Sequence, residues 1–178
     1  GMVVVDESGH SHSVQQLKDG RFAFVARGVP ALGSARYTIK KGRIKQGADL
    51  KASVHQLSNA FYDLTVDATT GNIIQLIRKN DGQNLASGDG LNAYVYTGSN
   101  AENPRSNGVP HIRMGEEGPC VVSLVIESEA PGCQKLTREI RLYAGIDQVE
   151  IINTLDKQRV YEKENVRFAF PFNVQEPQ

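Results

Sequence analysis

The run Leu136-Thr137-Arg138-Glu139-Ile140-Arg141-Leu142-Tyr143, followed by Gly145-Ile146-Asp147-Gln148-Val149-Glu150-Ile151-Ile152-Asn153-Thr154-Leu155-Asp156-Lys157, constrains the fold more than any other segment. Side chains alternate across a β-strand, so Leu136, Arg138, Ile140 and Leu142 share one face and Thr137, Glu139, Arg141 and Tyr143 the other. Gly145 lies in a short polar break, and Val149 and Ile151 resume strand composition. The segment reads as two adjacent strands.

The rest of the chain follows the same pattern. Strands are expected over 12–17, 21–27, 34–40, 50–57, 61–67, 72–78, 91–97, 120–128, 134–143, 147–154 and 164–174. Turn chemistry separates them: Lys18-Asp19-Gly20, Pro30-Ala31-Leu32-Gly33, Thr69-Thr70-Gly71-Asn72, Asn80-Asp81-Gly82 and Pro131-Gly132. Many short strands with frequent turns predict an all-β, antiparallel sandwich. A short helical turn near 83–87 is the one helical expectation. Residues 98–118 read as the longest irregular stretch, functional or mobile.

Composition excludes several classes. The 178 residues are 39% hydrophobic and 22% charged, as in soluble globular chains. Twenty basic side chains balance twenty acidic ones, so no global field draws the chain to nucleic acid or an anionic membrane. The local cluster Lys40, Lys41, Arg43 and Lys45 reads as a solvated loop. No apolar run approaches the ~18 residues of a membrane helix. Met2 to Val5 is too short for a signal-peptide core, and Gly1-Met2 reads as an expression scar or internal start. The compartment is therefore not readable.

Two cysteines, Cys120 and Cys133, invite a disulfide. A hairpin around Glu129-Ala130-Pro131-Gly132 would set Cys133 opposite residues near Ser128, leaving Cys120 roughly 26 Å away at strand rise. A disulfide needs Cα atoms within ~7 Å, so two free, buried thiols are expected.

Residues 42–50 look like a join, because Gly42, Gly47 and polar or basic residues interrupt the strand pattern after Ile39. Residues 1–42 then read as the end of a preceding small β-domain, and 43–178 as the first part of a larger sandwich.

Four motifs, Val29-Pro30-Ala31-Leu32-Gly33, Leu57-Ser58-Asn59-Ala60-Phe61-Tyr62, the Leu136–Lys157 stretch and Lys163 to Phe172, together resemble the C-terminal region of glycoside hydrolase family 38, the α-mannosidase family. Val29-Pro30-Ala31-Leu32-Gly33 with Tyr37 is similar to a signature that precedes its large sandwich, with Ser34 where a tyrosine is usual. Leu57-Ser58-Asn59-Ala60-Phe61-Tyr62, followed by Thr70-Gly71 and Ile73, resembles a strand and hairpin of that sandwich. The Leu136–Lys157 stretch is the third motif, and Lys163 to Phe172 the fourth. The resemblance implies a galactose-mutarotase-like super-sandwich, truncated here. It also implies a parent that hydrolyses α-mannosides with retention, using two carboxylates and a zinc ion held in an upstream catalytic domain. None of those motifs is in this chain, so no catalytic residue and no metal ligand is assigned to it, and the fragment alone is expected to be inactive. Its expected partners are that catalytic domain and a mannoside substrate, with self-association of the isolated fragment through the exposed contact face.

Physically, Pro30 fixes φ and Gly33 permits a turn where the chain crosses between sheets. Phe168, Phe170 and Phe172 alternate on one face; core packing is favoured over an aromatic sugar platform. Asn92-Ala93-Tyr94-Val95-Tyr96 is similar to a family strand whose tyrosine reaches the active-site rim. The resemblance makes Tyr94 the one substrate-binding candidate, against an ordinary strand tyrosine. His10 and His12 share a strand face with no third ligand nearby, and a solvent-exposed pair is expected. His55 and His111 read as structural or exposed, and Glu116-Glu117 as a solvated loop pair.

Three rivals stay open, one of them a purely adhesive or structural sandwich, which the family motifs make less attractive. A free-standing carbohydrate-binding module needs an exposed aromatic platform, which a chain without tryptophan makes harder to build. An active mutarotase-like enzyme needs a histidine and a carboxylate in acid/base geometry.

Overall fold

The computed structural model describes residues 1–43, 49–99 and 102–174. The first sheet is formed by β1 (Met2–Asp6), β2 (Ser11–Gln16), β3 (Phe22–Phe24) and β4 (Tyr37–Lys41), in the order β3-β2-β1-β4. A second sheet runs in sequence order: β5 (Lys51–Ser53), β6 (Gln56–Ser58), β7 (Tyr62–Val66), β8 (Ile73–Arg78) and β9 (Gln83–Asn84). β10 (Ala93–Thr97) pairs antiparallel with β15 (Asn165–Ala169) as a ribbon. Between them in sequence, β11 (His111–Glu117), β12 (Val121–Ala130), β13 (Cys133–Tyr143) and β14 (Val149–Lys157) form a four-stranded meander.

Two layers follow from the burial pattern. Leu57, Leu64, Val66, Ile73 and Leu76 of the β5–β9 sheet meet Val122, Leu124, Ile126, Ile140 and Leu142 of the meander in one core. Leu124, Ile126, Ile140 and Leu142 are each 0% exposed, and burying such a side chain stabilises by about 1.5–3 kcal/mol. A second core joins Tyr94 and Tyr96 of the ribbon to Ala130, Cys133 and Leu136 near the tip of the β12–β13 hairpin. The long hairpin β12–β13 is thus shared by both halves of the opposite layer. The fold is all-β and sandwich-like, as expected, and Leu136, Arg138, Ile140 and Leu142 all face inward.

Several expectations are corrected. The 50–57 strand is two strands, β5 and β6, folded at Val54-His55. Residues 83–87 are strand and bridge, with Ala86 facing Phe172, and not helix. Of the stretch 98–118, His111–Glu117 form β11, so Glu116 and Glu117 stand on a strand; residues 100–101 lie outside the described residues. Glu116 accepts the Lys18 amide at 3.0 Å. β1 was not anticipated. The Pro30–Gly33 turn links β3 to β4 within one sheet and does not cross between sheets. Leu32 takes the left-handed conformation there (φ 55°), while Gly33 donates its amide to Pro30. Phe170 and Phe172 are 41% and 52% exposed; only Phe168 reaches the core, edge-on to Tyr94. Of the residues taken as a join, 44–48 (with Lys45) lie outside the described residues. Both cysteines are free and buried, and Cys133 faces Ala130 across the hairpin.

Several side chains fasten the first sheet to the meander, the buried Gln15 among them. Gln15, 5% exposed, accepts the amides of Cys120 (3.0 Å) and Val121 (2.9 Å) and donates to the Val121 carbonyl at 3.0 Å. Its amide does for the start of β12 what a neighbouring strand's backbone would do.

Candidate functional site

Tyr94 is 1% exposed. Its ring meets Phe168 at 5.7 Å between centroids, and its hydroxyl donates to the Pro131 carbonyl at 2.5 Å. Burial first, then the neighbouring Cys133 thiol, pushes the phenol well above its ordinary range. In this arrangement the hydroxyl is committed to the hairpin turn.

That turn is the floor of a cleft of about 840 Å³. Tyr96, Arg105, Glu129, Pro131, Gln134 and Gln158 are among the residues around it. Tyr94 and Tyr96 fall on the same strand face by the period of two, which brings both rings beneath Pro131-Gly132. The turn is held from several sides. Tyr94 bonds the Pro131 carbonyl, Gln158 donates its amide to the Gly132 carbonyl at 3.0 Å, and Gly108 donates to the Glu129 carbonyl at 2.9 Å. Gly132 is in the left-handed region (φ 79°), and a Cβ there would lie 2.4 Å from the Tyr96 ring. Any other residue would lift the turn off its floor.

Charge surrounds Tyr96. The Arg105 guanidinium lies over its ring, 4.8 Å from the centroid. Glu164 beside the Tyr96 hydroxyl raises its pKa, and Glu164 in turn pairs with Lys157. That lysine holds the Glu164 carboxyl below the usual range.

Arg138 went unremarked as a functional candidate. It is 0% exposed, yet it contacts no carboxylate in the described structure. Nη1 donates to Asn72 Oδ1 and the Asn92 carbonyl, both at 3.0 Å, and Nη2 donates to the Thr70 carbonyl at 2.7 Å. Nε has no partner. Burial lowers its pKa to about 10. Gly71 (φ 74°) makes room for it, since a Cβ there would lie 2.3 Å from Nη2. Its place on an inward row, otherwise apolar, was the available sequence signal.

The outer face of the meander carries paired charge. Arg141 grips Glu139 with two bonds of 2.9 Å and reaches Glu150 at 3.5 Å. Burial works to raise the Glu139 pKa, but the bonds from Arg141 and Ser123 outweigh it and leave it lowered. Lys135 and Arg113 flank Glu127, and Lys135 leads in lowering its pKa. Carboxylates so placed stay ionised near neutrality and are poor proton donors.

His12 is not solvent-exposed as expected; its side chain is 14% exposed and its Nε2 lies 3.1 Å from Asp6 Oδ2. His10, 77% exposed, stands 3.4 Å from the same oxygen. His55 and His111 are exposed. Among the described residues, no group of three or more His, Cys, Asp or Glu side chains could hold a metal ion. Among the described residues no helix is long and apolar enough to cross a membrane.

A search of curated proteins finds no match to this chain. A family model does match: the glycosyl hydrolases family 38 C-terminal domain, over residues 57–178. That span takes in the whole β7–β15 sandwich, the hairpin turn and the cleft, so the chain belongs to glycoside hydrolase family 38 and carries its C-terminal domain.

Proposed function

We propose that this chain is the non-catalytic C-terminal part of an α-mannosidase-like, retaining glycoside hydrolase, where it packs on the catalytic domain and helps shape the carbohydrate pocket. The family match over 57–178 carries this reading. The carboxylates support it: Glu127, Glu139 and Glu164 are each bound to a cation that lowers the pKa, unlike a general acid. Zinc and the pair of catalytic carboxylates would belong to the catalytic domain of the parent.

The test is hydrolysis of a nitrophenyl α-mannoside with added zinc, comparing this chain with the full-length parent. Activity in the parent alone is the expected result. Turnover by this chain alone overturns the accessory reading.

One observation favours a second reading, a free-standing carbohydrate-binding module. Phe170 and Phe172 are exposed and nearly parallel, at 16° and 6.4 Å between centroids. Binding of mannosides that is lost on changing Phe172→Ala would favour it.

A further inference from the structure

We infer that the cleft over the Pro131-Gly132 turn is itself a binding site for a neutral pyranoside, with Arg105, Glu129, Gln134 and Gln158 as its hydrogen-bonding groups. This deepens the carbohydrate reading above and rests on it for the class of sugar.

Four observations converge. The cleft volume, about 840 Å³, falls in the range of small-molecule sites. Its rim carries two amides, a carboxylate and a guanidinium, planar groups that can engage neighbouring hydroxyls in pairs. Pro131 and Val160 add an apolar patch for the C–H face of a sugar ring. Among the described residues, no side-chain hydrogen bond or ion pair occupies Glu129, Gln134 or Gln158. The Arg105 guanidinium lies over the Tyr96 ring, and among the described residues no hydrogen bond or ion pair engages its N–H groups.

Charge and rigidity narrow the ligand. Arg105 and Glu129 are of opposite sign on one rim, so the cleft has no net field to select an anion. The floor is already ordered by Tyr94, Gln158 and Gly108, which lowers the entropy cost of binding. The polar lining is exposed, so water competes and the dissociation constant should be roughly 1 mM. Tyr94 then acts as a positioning residue beneath the site.

The test is a nuclear magnetic resonance titration of the isotope-labelled chain with methyl α-mannopyranoside. Saturable shifts are expected at the amides of Ser106, Gly108, Gly132, Gln134 and Gln158. Arg105→Ala and Gln134→Ala should each weaken binding about fivefold or more, with spectra that stay dispersed. His55→Ala, on the exposed β5–β6 turn, should leave it unchanged. No saturable shift up to about 50 mM sugar, or binding that neither cleft variant alters, overturns the inference. So do shifts confined to Phe170 and Phe172. Hydrolysis by the parent separates the two readings. Saturable cleft binding with turnover by this chain alone overturns only the accessory reading. Activity confined to the parent, with no cleft binding, overturns only this one.

Discussion

The hydroxyl of Tyr94 donates to the Pro131 carbonyl, joining β10 to the tip of the β12–β13 hairpin across the second core. Tyr94→Phe removes one buried hydrogen bond and leaves that carbonyl unpaired. We expect a loss of about 1–3 kcal/mol in urea unfolding, with an unchanged m-value.

The same residue sets an alkaline limit. Its folded pKa is raised by burial, so the folded state retains a proton that the unfolded chain releases above about pH 10. The stability involved is fully present below that pH and is lost as pH rises toward the folded value. Arg138 acts in the opposite sense. Its folded pKa of about 10 lies below the ordinary 12.5, so its buried charge costs stability at neutral pH and that cost is relieved from about pH 10 upward. A thermal-melt series above pH 9 should fall less steeply for Tyr94→Phe than for the native chain.

Arg138→Met should be the most damaging single change in the first core. It strands Asn72 Oδ1 and the carbonyls of Asn92 and Thr70. A loss of about 3 kcal/mol or more is expected by denaturant titration. Arg138→Lys should recover only part of it, because one ammonium cannot reproduce the guanidinium fork.

Asp67 organises the β7–β8 turn. Oδ1 accepts the Thr69 and Thr70 amides at 3.0 and 2.7 Å and both hydroxyls. The Thr69 hydroxyl leads in lowering its pKa to about 2. The stability is present above about pH 4 and is lost as pH falls toward 2. Solvent screening keeps it below about 1 kcal/mol. Asp67→Asn should flatten the stability profile between pH 4 and pH 2, measured by melting at fixed salt.

Gln15→Ala should loosen the first sheet from the meander. Hydrogen exchange at Cys120 and Val121, whose amides Gln15 holds, should quicken by about tenfold or more, with a cost of about 2–4 kcal/mol. Unchanged protection there would show that other contacts fasten the sheets.

What was legible in the sequence follows the strength of alternation. β13 and β14 were read from a strict period of two that only one burial pattern satisfies. β1, Met2–Asp6, escaped because three consecutive valines show no alternation. β11 escaped because Gly115 and two glutamates read as a loop; Gly115 is small because Ser123 packs where its Cβ would be, a contact local pattern cannot show. Phe168, Phe170 and Phe172 share a period, but period says nothing of how far the opposite layer extends. Tyr94 was placed on its strand correctly. Its partner Pro131 lies 37 residues away in sequence, so its role could not be read locally. The cleft is made by segments equally remote from one another.

The Gln15 fastening has a mechanical consequence. It grips β12 at Val121, while the cleft lies at the other end of that strand, at Glu129 and Ala130 and the turn after them. A strand of that length spans about 33 Å and is hydrogen-bonded on both sides. It therefore works as a stiff rod with its handle in the first sheet. A displacement of that sheet is thus expected to be felt, through β12, at the Pro131-Gly132 turn.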